Sequence, residues 1–78
     1  MSQALLKITG KVQGVWYRAS AKELANELEL TCHIENLSDG SVEAIVQGEK
    51  STIEKFIKWC WTGPEHAQVE NIELKWSD

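Results

Sequence analysis

The stretch GKVQGVWYRAS, residues 10–20, is where an alternating segment turns into a helical one. Before it, between Ala4 and Gly10, Leu6 and Ile8 alternate with Lys7 and Thr9, the period-two pattern of a half-buried strand. After it, Ala21, Leu24, Ala25 and Leu28 follow the i, i+3, i+4, i+7 rule, with Lys22, Glu23, Asn26 and Glu27 between them. That spacing predicts an amphipathic helix with one buried face. The quoted segment is therefore a strand-to-helix junction, and it holds two glycines, a glutamine and one arginine.

Beyond the helix, Cys32 and Ile34 alternate with His33 and Glu35, and Val42, Ala44 and Val46 alternate with Ser41, Glu43 and Gln47. The intervening NLSDGS, residues 36–41, carries the Asp-Gly signal of a hairpin turn. Ser51 followed three residues on by Glu54 fits a capping box, and Ile53, Phe56, Ile57 and Cys60 form a second helical stripe that Gly63 and Pro64 stop. A last strand runs from Val69 to Trp76 with Ile72, Leu74 and Trp76 on one face; Val69 is out of phase, which predicts a bulge or a late start. The order β-α-β-β-α-β is the α+β, ferredoxin-like split βαβ arrangement, with two helices on one face of a four-stranded antiparallel sheet. With no repeat, low-complexity tract or linker, residues 1–78 read as a single domain.

Composition narrows the function. A net charge of −4 argues against the broad basic surface that nucleic acid or anionic lipid requires, so any anion must be held locally. No segment approaches the roughly 18 apolar residues of a membrane span, and the N-terminus lacks a charged stretch backed by an apolar run, so the expected address is cytoplasmic. Cys32 and Cys60 form no C-x-x-C; two reduced thiols packed as small apolar groups are favoured, with a bridge between them left open. His33 and His66 stand alone, without the neighbours a metal or catalytic role needs. The central strands carry no aromatic platform for RNA.

The junction is the one place where a local anion site is signalled. The first turn of a helix has amides without intrahelical partners and a partial positive charge from the dipole. Gly10 and Gly14 are expected to let the loop curve and bring its amides close to a ligand. Arg18 adds a permanently charged planar fork suited to phosphate oxygens. The dipole disfavours a cation at a helix start, so its placement there argues for an anionic ligand rather than a solvated surface charge.

GKVQGVWYR, residues 10–18, resembles the acylphosphatase signature G-x-V-Q-G-V-x-(Phe or Tyr)-Arg at every specified position. A second signature of that family is matched by Asn36, Gly40, Val42 and Gly48, in the right order. The resemblance implies hydrolysis of the mixed anhydride of an acyl phosphate to a carboxylate and inorganic phosphate, with no metal, cofactor or covalent intermediate. It implies that the amides of Val15, Trp16, Tyr17 and Arg18 cradle the phosphate, that the Arg18 guanidinium neutralises it, and that the Asn36 side chain orients the attacking water. The implied partners are a small-molecule acyl phosphate or inorganic phosphate. An acyl phosphate has a good leaving group, so positioning and electrostatics can carry the rate without an acid–base dyad.

Three residues depart from the family pattern: Cys32, His33 and Glu35 stand where it has glycine, an aromatic and often a base, with Ile34 at its small apolar position. A carboxylate at 35 would repel phosphate by about 1 kcal/mol at ~4 Å in water, but strand alternation turns it away from the face of Asn36. The resemblance also implies a further C-terminal strand absent from this sequence, so the expected monomer carries an open second-strand edge as a route to self-association. Gln13 and Tyr17 are read as structural, tying the loop and packing at the helix start; Trp16 either lines an acyl entrance or lies on the surface. Trp59, Trp61 and Trp76 are read as core or helix-end packing. The rival functions are a phosphate or acyl-phosphate binding module without turnover, and an interaction domain that uses the sheet edge.

Overall fold

In β1 (Ser2–Lys11), Ala4, Leu6 and Ile8 are fully buried while Leu5, Lys7 and Thr9 between them are half-exposed, so the period-two pattern has put one face against the core. This computed structural model describes residues 1–77. After β1 come α1 (Tyr17–Glu27), β2 (Thr31–Asn36), β3 (Val42–Gly48), α2 (Lys50–Thr62) and β4 (Gln68–Ser77). The four strands form one antiparallel sheet in the order β2-β3-β1-β4. The β-α-β-β-α-β order and its ferredoxin-like sheet are those the periodicity predicts.

Both helices pack on the buried face. Ala21 and Ala25 from α1 and Ile53, Phe56 and Cys60 from α2 meet Leu6, Ile8, Val42, Ala44 and Val46 from the sheet. Tyr17 opens α1 and is itself in the core, at 1% exposure; its phenol donates to the Cys60 carbonyl at 2.7 Å. Its ring lies 5.5 Å from that of Trp59, and the Phe56 ring lies 6.4 Å from the same indole. Trp76 is half-buried with the Lys50 ammonium 5.2 Å from its ring centre. Trp61 departs from the packing expected of it and is half-exposed on the outer side of α2. Cys32 and Cys60 are both free thiols.

Two expectations change in the structure. The Ser51–Glu54 capping box is not formed, because α2 begins at Lys50: the Ile53 amide already bonds the Glu49 carbonyl at 2.9 Å, and Glu49, extended at φ −68°, is the N-cap. Ile53 is wholly buried in the first turn of that helix. Gly10 is not a loop glycine. It pairs within β1 opposite Val69, one step after Thr9 pairs with Asn71, so Glu70 is the extra residue of a β-bulge. At φ 122°, a Cβ on Gly10 would collide with the Gln68 carbonyl oxygen and lie 2.7 Å from the Glu70 nitrogen. The bulge expected from the phase of Val69 is thus real, and Gly10 is what lets the strands close over it.

Candidate active site

Leaving the sheet at Lys11, the chain buries Val12 and turns back through Gly14, at φ 74°, and Trp16, at φ 68° and ψ 16°, before α1 begins at Tyr17. Left-handed residues two positions apart are a backbone pattern by which a loop can turn its amides to one side and bind an anion. The first helical bond is from the Ser20 amide to the Trp16 carbonyl, 3.0 Å. Among the described residues, no protein acceptor takes the amides of residues 15–18, no side chain caps this end, and no acidic residue lies in its first turn. The positive end of α1 is left bare.

A cleft of about 370 Å³ opens at that end, lined by Val12, Gly14, Trp16, Tyr17, Arg18, Ala19 and Asn36. Its volume lies at the lower end of small-molecule sites, roughly 300–1,000 Å³. Arg18 and Asn36 are both exposed, and they reach it from different elements, the first turn of α1 and the last residue of β2. Arg18 is the one cation among its described lining residues. Three of the four predicted cradle residues, Trp16, Tyr17 and Arg18, line the cleft. Val15 does not, and its side chain turns inward at 7% exposure. The Tyr17 ring serves the core, so its share in the cleft is the opening turn of the helix.

A chain of bonds fixes how Asn36 stands relative to the loop. Gln13 Nε2 donates to the carbonyls of both Leu37 and Ser41, each at 2.8 Å. The Leu37 amide in turn bonds the Ser41 carbonyl at 2.8 Å and closes the hairpin. The tie expected of Gln13 is thus made to the segment that follows Asn36. The sequence marks Asp39 only as half of a turn signal, yet it is the hub of that hairpin. Its Oδ1 accepts from the Ser41 hydroxyl at 2.5 Å and the Ser41 amide at 3.0 Å, and its Oδ2 meets the Lys7 ammonium at 3.0 Å. The Ser41 hydroxyl, then the Ser41 amide, then Lys7 hold the Asp39 carboxyl well below the usual carboxylate range. The available signal was Asp two residues before Ser, the spacing of an Asx turn.

Glu35 faces away from all this. In β2, Ile34 is buried on the helix side and Asn36 shares its face by alternation, while Glu35 stands on the opposite face, paired across the ladder with Glu43.

Comparison with known proteins agrees with the fold. The acylphosphatase of Roseiflexus sp. (strain RS-1) is 45% identical over 76 residues, which is 97% of this chain and 82% of that protein. The structure of an acylphosphatase from Coxiella burnetii superposes with a TM-score of 0.93 at 38% identity, covering 99% of this chain and 81% of that one. The acylphosphatase of Bacillus subtilis, at 27% identity, matches with a TM-score of 0.96 over 99% of this chain and 86% of its own. The acylphosphatase family model itself spans residues 4–78, and this chain belongs to that family.

Proposed function

We propose that this protein hydrolyses acyl phosphates to a carboxylate and inorganic phosphate through Arg18 and Asn36. The observation that carries the reading is the convergence of these two residues, 18 positions apart and on different elements, on one cleft at the bare N-terminus of α1. The phosphoryl oxygens sit against the amides of residues 15–18, where the dipole and the guanidinium offset their charge without reorganising during the reaction. The Asn36 carboxamide holds a water in line with the scissile bond. The water oxygen forms a bond to phosphorus as the bond from phosphorus to the acyl oxygen breaks, and the electron pair of that bond leaves on the carboxylate. The water's proton passes to an oxygen of the substrate's own phosphate, so no protein base is required.

In this reading residues 1–78 act as one domain, as a cytoplasmic monomer on small acyl phosphates. No described helix is long and apolar enough to cross a membrane, and among the described residues no His, Cys, Asp and Glu cluster is arranged to hold a metal ion. The test is hydrolysis of benzoyl phosphate with a chelator present. Arg18→Ala should lower kcat/KM by roughly 10²–10³-fold and weaken inhibition by inorganic phosphate; Asn36→Ala should lower kcat with less effect on that inhibition. A folded protein that binds phosphate without turning over benzoyl phosphate would be a binding module instead.

A further inference from the structure

Trp16 is unlike the other tryptophans. Trp59 packs against Tyr17 and Phe56, Trp76 is half-buried beneath Lys50 and Trp61 is 49% exposed, whereas Trp16 is 77% exposed and, among the described residues, stacks on no aromatic ring and has no cation over its own. It also occupies a left-handed backbone conformation, uncommon and strained for a bulky residue, which glycine would adopt freely. Neither burial nor backbone preference favours an indole at this position. Its remaining relationship in the structure is with the cleft, whose wall it forms together with Gly14, Arg18 and Asn36.

We infer that the Trp16 indole is the specificity surface for the acyl group, so that the site prefers acyl phosphates with flat apolar acyl parts. The inference rests on the hydrolytic reading above. The phosphoryl end of a substrate is drawn to the amides and the guanidinium, and the acyl end must then project toward the mouth of the cleft. Arg18 and Asn36 present polar tips there; Trp16 presents the large apolar face. An aromatic acyl group stacks on that face, and a short aliphatic one covers little of it. The net charge of −4 favours the same division, because affinity that charge does not supply at long range must come from local contact.

The experiment compares benzoyl phosphate with acetyl phosphate in the unsubstituted protein, Trp16→Ala and Trp16→Phe. Trp16→Ala should lower the benzoyl-to-acetyl ratio of kcat/KM by about 3–10-fold, chiefly through KM for benzoyl phosphate, and Trp16→Phe should recover most of it. The inhibition constant for inorganic phosphate reports separately on the cradle. An unchanged ratio in Trp16→Ala would overturn the inference while leaving the hydrolytic reading intact. A protein that hydrolyses neither substrate would overturn the hydrolytic reading. The role of Trp16 would then be decided by calorimetric affinity for benzoylphosphonate relative to phosphate: weaker in Trp16→Ala supports it, equal overturns it.

Discussion

Gln13 and Ser41 are joined across the mouth of the hairpin by a side-chain bond of 2.8 Å, and the second hydrogen of the same Gln13 amide reaches Leu37 at 2.8 Å. One side chain thereby fastens the loop before α1 to the loop after β2, and these two loops adjoin Arg18 and Asn36. The Leu37 carbonyl also accepts from Gly40, and the Ser41 carbonyl also accepts from Leu37, so neither is orphaned when Gln13 is removed.

Gln13→Ala should therefore cost only about 1 kcal/mol of stability, seen as a Tm lower by ~4–8 °C. Its larger effect should be kinetic. With the hairpin untied, Asn36 loses its fixed position relative to the cradle, and kcat should fall about tenfold while KM stays within about twofold. Gln13→Glu should not rescue it, because a carboxylate has no hydrogen to donate to either carbonyl. Unchanged kcat in the alanine variant would show that the tether serves the fold alone.

Gly10 and Gly14 both have positive φ, but their surroundings separate them. A methyl group on Gly10 would meet the backbone of Gln68 and Glu70 inside the bulge, whereas one on Gly14 would meet nothing within 4 Å. Gly14→Ala should cost about 1 kcal/mol, the conformational penalty by itself. Gly10→Ala adds a collision with backbone that cannot step aside without opening the β1–β4 ladder, and should cost about 3 kcal/mol or more. In a small domain that is a large share of the total. Urea unfolding of the two variants side by side measures the difference, and equal midpoints would mean the bulge rearranges freely.

The order of elements was legible because Leu6 and Ile8 repeat every second residue while Ala21, Ala25, Ile53 and Phe56 repeat at helical spacing, and each pattern is written by the core it faces. Arg18 could be singled out from the dipole argument. Asn36 could not: on its own it is an ordinary turn residue, and only the spacing of a second motif raised it. What stayed hidden depended on contacts between distant segments. The true start of α2 is Lys50, capped by Glu49 rather than by Ser51 and Glu54. The need for Gly10 comes from strand β4, some sixty residues on, and the left-handed backbone of Trp16 has no signature in a residue type that avoids it.

The Tyr17–Cys60 contact predicts behaviour in base. Burial pushes the Cys60 thiol up from 9.0 to about 12, and burial first, then Cys60, pushes the Tyr17 phenol up as well. Burial raises Cys32 in the same direction. For each group the folded state holds its proton more tightly than the unfolded chain. Stability is therefore fully present below the ordinary thiol value and falls as pH rises from about 9 toward 12, because the unfolded chain ionises first. Thermal unfolding between pH 8 and 11 should show a falling Tm, and Cys60→Ala should flatten the slope even though it lowers the starting Tm. A thiol-specific reagent at neutral pH should label Cys32 well before Cys60, which is wholly buried.

Glu35 stands in the motif that carries Asn36, and the sign of its effect separates two pictures of the site. Across the exposed face of the sheet, Glu35 pairs with Glu43, Glu43 with Lys7, and Lys7 with Glu73, so three of the four strands already alternate in sign and β2 breaks the row. Two carboxylates directly opposite each other repel, while an opposite-charge pair there contributes roughly 0.2–1 kcal/mol. Glu35→Lys should therefore stabilise the fold by about 0.5 kcal/mol or slightly more, raising Tm by ~2–4 °C. Because Glu35 projects from the face opposite Asn36, inhibition by inorganic phosphate should change by less than about twofold. Were its carboxylate instead turned toward the cradle, replacing it with a cation would remove ~1 kcal/mol of repulsion and add attraction, tightening phosphate by about fivefold or more. Thermal unfolding and phosphate inhibition on the one variant decide between the two: a higher Tm with unchanged inhibition places the charge on the outer face, and tighter inhibition places it at the site.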